Sequence, residues 1–404
     1  MIEFAEQLDA PREALVGVAV SGGSDSVAAL HLLADAGWNL HVVTVDHRLR
    51  DGSAAEAGFV GRIAADLGLP HSVLTWDHDG VQGNLQDQAR RARYGLIRDW
   101  AASQGIRHVV LGHTMDDQAE TVLMRIARGA GLDGLCGMAS QREDAGVTWL
   151  RPFLTARRED LRAYLAARSA EWIDDPSNED TRFDRVKARQ AMAALAPLGI
   201  DAERLSAMSA RLQDVRSDLD LRAREAFLAA GEEDRGDLVL HFPDFRKAAG
   251  GPEVLRRTFV AALRWVSGAE YPPRAEALSD LIGALRSGET RTLSGCVVTA
   301  ERSVRFSREF NAVKDLHGAT DLPWDGRWVL EGPHAPDLDV RALGDAVKDC
   351  ADWRETGMPR TSLLASPAVW RGDALIAAPV AGLTNGWRAS ATRRGSFTEF
   401  LLSR

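Results

Sequence analysis

The chain has 404 residues, 45% of them hydrophobic, with 49 Lys and Arg against 58 Asp and Glu for a net charge of −9. That length predicts two or three domains with sizeable cores, and the acidic balance excludes a protein that coats nucleic acid indiscriminately. Three scattered cysteines (Cys136, Cys296, Cys350) with no CxxC pair argue against a structural zinc site and for a reducing compartment; with no apolar run of bilayer length and no secretory leader pattern, the expected location is the cytoplasm, away from membranes.

From the N-terminus, Ala14–Val20 reads as a buried parallel strand, and Val27–Leu33 as an apolar helical pattern. Between them stands Ser21-Gly22-Gly23-Ser24-Asp25-Ser26. A strand-to-helix turn aims backbone N–H groups and the positive end of the helix dipole at a docking anion. The glycines allow close approach of backbone to phosphate, and the serines add hydroxyl donors. No lysine follows, so this is not the GxxxxGK[ST] loop, and Asp25 suits magnesium or catalysis better than direct phosphate contact. The alternative is a plain polar turn.

Further strands are expected at Leu40–Val45, Ser72–Trp76 and His108–Leu111, with helices at about Leu85–Ala102 and Asp116–Ala127 between and after them. Alternation at this spacing predicts a doubly wound parallel sheet with ligands at the carboxyl ends of its strands. Asp46-His47 follows the second strand, where nucleotide would lie, although Asp46 also suits a turn. His113, Asp117 and Glu120 stand at i, i+4 and i+7 after the fourth strand, and so share one face of a helix. Two carboxylates and an imidazole that close perturb each other unless a cation or a substrate ammonium joins them. Arg128–Met138 holds four glycines and reads either as a loop closing on a ligand or as a helix stop. Asp175–Arg185 reads as a turn leading into a helix that presents Arg185 and Arg189 one turn apart, a spacing suited to a phosphate or RNA backbone. The arginines crowd the first half of the chain, from Arg90 to Arg189, and acids follow from Asp214 to Asp234, which points to a polyanionic substrate in the N-terminal part.

Beyond this, a long polar helix is expected from about Asp201 to Leu228, then a mainly helical piece over Val254–Arg286 with short strands around Cys296–Phe306. A Gly- and Pro-rich loop leads to a β-rich end that includes a hairpin at Ser366–Ile376. The expected division is residues 1–198 as catalytic domain, 199–230 as connecting helix, 231–317 as helical domain and 318–404 as a small β-rich domain.

Taken together, SGGSDS (Ser21–Ser26), VDHRLR (Val45–Arg50), ARRARY (Ala89–Tyr94), LGHTMDDQAET (Leu111–Thr121), RGAGLDGLCGM (Arg128–Met138), RPFL (Arg151–Leu154) and DPSNEDTRFDR (Asp175–Arg185) resemble the tRNA(Ile)-lysidine synthase family of N-type ATP pyrophosphatases. The likeness covers the first half of the chain; the second half is similar in layout only. It implies an adenine nucleotide alpha hydrolase-like fold and a ligase that joins free L-lysine to C2 of the wobble cytidine of tRNA(Ile) with a CAU anticodon. ATP and Mg²⁺ are implied, with an adenylated intermediate and release of AMP and pyrophosphate. Codon reading would change from AUG to AUA, and amino-acid identity from Met to Ile.

The resemblance also implies roles. Ser21, Gly22, Gly23, Ser24, Asp25, Ser26, Asp46 and His47 would bind ATP, with Asp25 placing the metal. Asp25, His113, Asp117 and Glu120 would be catalytic. Arg90, Arg93, Asp117, Glu120 and Arg128 would hold lysine or the intermediate, Arg185 and Arg189 the tRNA, with a homodimer as the implied assembly and the 231–317 piece as tRNA-binding. Two departures stand out: Val186 where the family usually has Asn, and a degraded P-P-W-x-R segment at Met358–Arg360. A tRNA thiolase is the competing activity, which normally wants a persulfide-bearing Cys or a CxxC-held cluster; a catalytically silent tRNA-binding protein is the other.

Overall fold

The computed structural model describes residues 5–6, 8–48, 52–77, 85–174, 184–391 and 395–403, with backbone only at 85–87. The chain divides into two compact units, Met1–Arg216 and Ser217–Arg404, and the boundary falls inside one long helix, Ala202–Ala230.

The first unit is built on strands β1 (Val16–Ala19), β2 (Leu40–Asp46), β3 (His71–Thr75), β4 (His108–Leu111), β5 (Gln141–Asp144) and β6 (Val147–Leu150). Helices α1 (Ser24–Asp35), α2 (Ser53–Asp66), α3 (Leu85–Ser103), α4 (Met115–Ala127), α5 (Leu132–Leu135), α6 (Arg158–Ala167) and α7 (Asp184–Leu195) connect and follow them, and α8 is the long helix. Sheet order is β3-β2-β1-β4-β6-β5. Val18 faces Val42 on one side and Val110 on the other, all in parallel register. Both faces are covered, as continuous apolar strands require. Val16, Val18 and Val42 pack with Leu30 and Leu33 of α1, Val60 of α2 and Leu161 of α6. Val43 and Val109 pack with Ile97 and Trp100 of α3. The order reverses between β1 and β4, so the crevice for a ligand opens at the carboxyl ends of those two strands.

One edge departs from the expected all-parallel sheet. Residues 141–150 form a hairpin whose β6 runs parallel to β4 while β5 pairs antiparallel to it. Ala145 and Gly146 make the turn, at φ of 49° and 84°, the left-handed pair that a two-residue hairpin demands. β5 is polar because it lies at the sheet's edge, which hid it from an apolar strand pattern.

The second unit contains two cores. Strands Gly231–Asp234, Asp237–Leu240, Arg291–Leu293, Cys296–Ala300 and Val304–Arg308 make a five-stranded antiparallel sheet, backed by helices Pro252–Ser267 and Ala275–Arg286. The piece read as mainly helical therefore holds a sheet as well. A second core is organised on a four-stranded sheet of Gly318–Ala319, Asp339–Ala342, Pro367–Arg371 and Ala374–Ala377, the last two forming the expected hairpin. No helix of the described residues is long and apolar enough to cross a membrane.

Candidate active site

The turn after β1 is shaped by its own residues. Gly22 sits at φ +89°, and a Cβ there would come within 2.9 Å of Ile173 Cδ1. Gly112, at the end of β4, has Asp25 O and Ser26 Cα 2.9 Å from where its Cβ would be. The end of β4 thus touches the backbone of the first turn of α1, and any larger residue at 112 pushes them apart. Ser26 Oγ donates to Gly23 O at 3.0 Å and accepts from Ser21 N at 3.2 Å, which closes the turn. Gly23 is the extended cap from which α1 starts, with Asp25 in its first turn.

Helix α4 begins at Met115, two residues after the His113 with which the i, i+4, i+7 pattern starts. Thr114 is its N-cap, and His113 lies before it. Asp117 completes a capping box: its Oδ2 accepts from Thr114 N at 2.9 Å and Thr114 Oγ1 at 3.0 Å. Capping therefore uses one oxygen of Asp117, and the other remains for a cation. Asp116 does different work, accepting the Arg158 backbone N–H at 2.7 Å and so pinning the start of α6.

The carboxylates of the two strand ends meet on Arg158, which the sequence did not single out. Its Nε donates to Asp25 Oδ2 at 2.8 Å, its Nη2 to Asp117 Oδ1 at 3.0 Å and its Nη1 to Glu120 Oε1 at 3.3 Å. Arg189 Nε also reaches Glu120 Oε1, at 2.6 Å, and Arg185 Nη1 lies 3.6 Å from Asp117 Oδ1. Three carboxylates and three guanidinium groups thus share the cluster. Arg185 and Arg189, the residues expected to hold tRNA, each turn one nitrogen inward onto the carboxylates. Glu120 is 2% exposed and its Oε2 has no partner among the described residues. Such a buried orphan acceptor is costly and points to a missing donor.

Charge states follow from these contacts. Burial raises the Asp25 carboxyl above the usual range, and Arg158 offsets part of that. Burial also opposes ionisation of Asp117, but Arg158 and Arg185 outweigh it and hold its carboxyl low. Burial and the cations Arg151, Arg93 and Arg185 push His113 down to about 3 against the pull of Asp117, so its imidazole is neutral at physiological pH.

A second, purely cationic group lies around Tyr94 of α3. Arg90 and Arg93 sit over its ring at 5.2 and 5.6 Å, and Arg151 bonds its hydroxyl. Burial tends to raise the phenol, but the three guanidinium groups win and lower it. No carboxylate among the described residues pairs with Arg90, Arg93 or Arg151, and the buried Arg151 Nε is without a partner. Tyr94 and Arg151 joined this group only through the fold, across more than fifty residues of sequence.

Asp46 accepts from Arg48 N at 3.0 Å, and Ser53 bonds its carboxyl and lowers it, so it caps its own turn. His47 stands edge-on to Trp76 with ring centroids 6.1 Å apart, kept neutral by burial and by Arg93. Arg128 forms an exposed pair with Asp184 at 2.9 Å. The glycine loop 128–138 is tied down, since Arg125 Nη1 donates to Gly134 O and Gly137 O, Gln118 pairs with Met138, and Ser209 donates to Cys136 O. These contacts hold the loop in place, where both a closing loop and a helix stop with a floppy linker would leave it mobile. Val186 is buried, so an apolar contact stands where the family has a polar residue. The Asp175–Arg185 turn lies outside the described residues up to 183, as do Leu49 and Arg50. Arg360 of the degraded segment forms a surface pair with Asp345.

Comparison with known proteins shows the family. A PP-loop domain family matches residues 2–195. A tRNA(Ile)-lysidine synthase from Ruegeria pomeroyi is 50% identical over 93% of this chain and 90% of that protein. Proteins of the same name from Bradyrhizobium diazoefficiens and Rhodopseudomonas palustris are 40% and 44% identical, over 70% and 58% of this chain and 80% and 70% of their own lengths.

Proposed function

This chain belongs to the tRNA(Ile)-lysidine synthase family of ATP-using, PP-loop tRNA-modifying enzymes, and on that premise we propose that it ligates free L-lysine to C2 of the wobble cytidine of tRNA(Ile) with a CAU anticodon. The observation that carries this reading is the meeting of Asp25, from the phosphate-binding turn, with Asp117 and Glu120, from the acidic helix, on one guanidinium. A polyphosphate site and an amine site at adjoining strand ends suit a reaction that first activates a base and then aminates it.

In the first half-reaction the C2 oxygen of cytidine attacks the α-phosphorus of ATP, and pyrophosphate leaves. Residues 21–26 hold the departing phosphates with backbone N–H groups and hydroxyls. Magnesium fits at Asp25, because Mg²⁺ is usually bound by one or two carboxylates plus substrate phosphates; its contribution is to offset charge on the leaving group. The cationic group of Arg90, Arg93 and Arg151 has no paired carboxylate among the described residues and suits phosphate of the nucleotide or of the adenylated base. The cytosine is turned out of its stack, as in single-stranded loop recognition generally.

In the second half-reaction the ε-amine of lysine attacks C2, the C2–O bond breaks, and AMP leaves. A lysine side chain has a pKa of about 10.4 and is a poor nucleophile while charged. The unpartnered Glu120 Oε2 is the natural acceptor for its ammonium. Glu120, whose free oxygen faces the amine, is better placed than His113 to take the proton, because an imidazole held near 3 is a weak base; Asp117, kept ionised by its arginines, is suited to holding the ammonium instead. Cys136 is fully buried, which counts against a persulfide-bearing role and so against thiolation.

The test supplies ATP, radiolabelled lysine and unmodified tRNA(Ile) bearing CAU. Label enters that tRNA if the reading is right; a folded protein that transfers none refutes it.

A further inference from the structure

We propose that Arg158 is a positioning residue of the reaction, whose one guanidinium fixes the phosphate-turn carboxylate Asp25 against the acidic-helix carboxylates Asp117 and Glu120 and thereby ties activation of the base to attack by the amine. The proposal rests on the function read above. Arg305 of the second unit joins two acids, whereas Arg158 spends all three nitrogens on three acids from two separate elements.

Its backbone is fixed to the same frame. Arg158 N donates to Asp116 Oδ2 at 2.7 Å, and Met115 N donates to Ala156 O at 2.9 Å. The start of α6 is therefore locked to the start of α4 on both strands of this contact, and the side chain pivots from a point set by the helix whose acids it holds. One turn further along α6, Arg162 Nε donates to Ser24 Oγ at 3.2 Å. Ile173 N donates to Gly22 O at 2.9 Å. The segment from 156 to 173 thus contacts the turn at three successive places, and of those three contacting residues Arg158 also reaches the acidic helix with its side chain. At 20% side-chain exposure, Arg158 and Asp25 remain open to the crevice where substrate would lie.

The geometry makes lysine a poor substitute. An ammonium is a point charge that neutralises one acid at a time, while the planar fork of arginine spans acids on both elements. Neutralisation and alignment can therefore be separated by comparing Arg158→Ala with Arg158→Lys in the full chain. Exchange of labelled pyrophosphate into ATP in the presence of tRNA reads the first half-reaction, and the KM for lysine in the incorporation assay reads the amine site. Arg158→Ala is expected to slow exchange by about 100-fold and to raise the KM for lysine by about tenfold. Arg158→Lys is expected to regain at least about tenfold in exchange while the lysine KM stays raised. Thermal unfolding of each variant confirms that it is folded, and Arg158→Gln replaces the alanine variant if that one is not.

The proposal is overturned if Arg158→Ala stays within about twofold of wild type in both measurements, if only one half-reaction suffers, or if Lys does no better than Ala in exchange. A wild-type protein that exchanges pyrophosphate but incorporates no lysine, or does neither, instead refutes the function on which the proposal rests.

Discussion

Among the described clusters of buried carboxylates and arginines, the one at the 21–26 turn and the one around Asp237 and Asp325 in the second unit differ in completeness. In the second unit, Asp237 Oδ2 accepts from Ser362 Oγ at 2.5 Å and from Arg305 Nη1 at 2.9 Å, while Arg305 Nη2 reaches Asp234 at 2.8 Å. Asp325 is gripped by both nitrogens of the Arg308 fork and by Arg327 Nε. That cluster leaves no buried carboxylate oxygen without a partner among the described residues. The cluster at the turn leaves Glu120 Oε2 orphaned and keeps Asp25 and Arg158 partly open. A finished ion-pair network holds a fold together, whereas an unfinished one at a strand-end crevice has room for a substrate.

Mutation separates the two most sharply. Asp25→Ala and Glu120→Ala should cut lysine transfer by about 10²–10³-fold while unfolding temperature moves little, because each acid sits at the open cluster. Full activity in either variant would remove that residue from the mechanism. Arg305→Ala should behave in the opposite way: it strands two carboxylates, so stability should fall by about 3 kcal/mol with activity per folded molecule unchanged. Denaturant titration beside the transfer assay distinguishes them; equal losses of activity in both clusters would erase the contrast.

Acid sensitivity gives a subtler separation. His113 is held near 3 in the folded chain against an ordinary value of about 6.5 when unfolded. Between those values the unfolded chain binds the extra proton, so the stability due to this group is present above about 6.5 and is lost as pH falls toward 3. His113→Gln should therefore flatten stability against pH across that window, and an unchanged slope would contradict the neutral imidazole. The smallest effect is expected at Cys136→Ala, where the thiol is only core. Transfer should stay within about twofold, with about 1 kcal/mol of stability lost, and loss of activity would revive a sulfur-transfer role.

Much of the first unit was legible because buried parallel strands and amphipathic helices write their periods into the sequence. Ser21–Ser26, Asp117 and Glu120 were found for the same reason, since strand ends mark where ligands lie. The edge strand β5 was not found, because a solvent-facing QRED has no apolar signature. Arg158 was not found because nothing local separates it from Arg157: the neighbour turns to Glu159 at 3.4 Å, and only α6 packing beside α1 directs the next side chain inward. Tyr94 and Arg151 are joined by the sheet, across a distance that motif spacing does not carry. His113 illustrates the reverse error. Its i, i+4 spacing to Asp117 was read as helical, but Thr114 caps the helix and leaves the imidazole on the turn before it.

The central claim is that the open cluster and the phosphate-binding turn carry out one two-step modification. Wild-type protein incubated with ATP, magnesium, L-lysine and tRNA(Ile) bearing CAU, followed by nuclease digestion and mass analysis of the wobble nucleoside, tests it most directly. The account predicts a nucleoside with the mass of cytidine plus lysine less one water, absent when ATP is withheld and from Asp25→Ala. An unmodified cytidine, from folded wild-type protein with every substrate present, would contradict it.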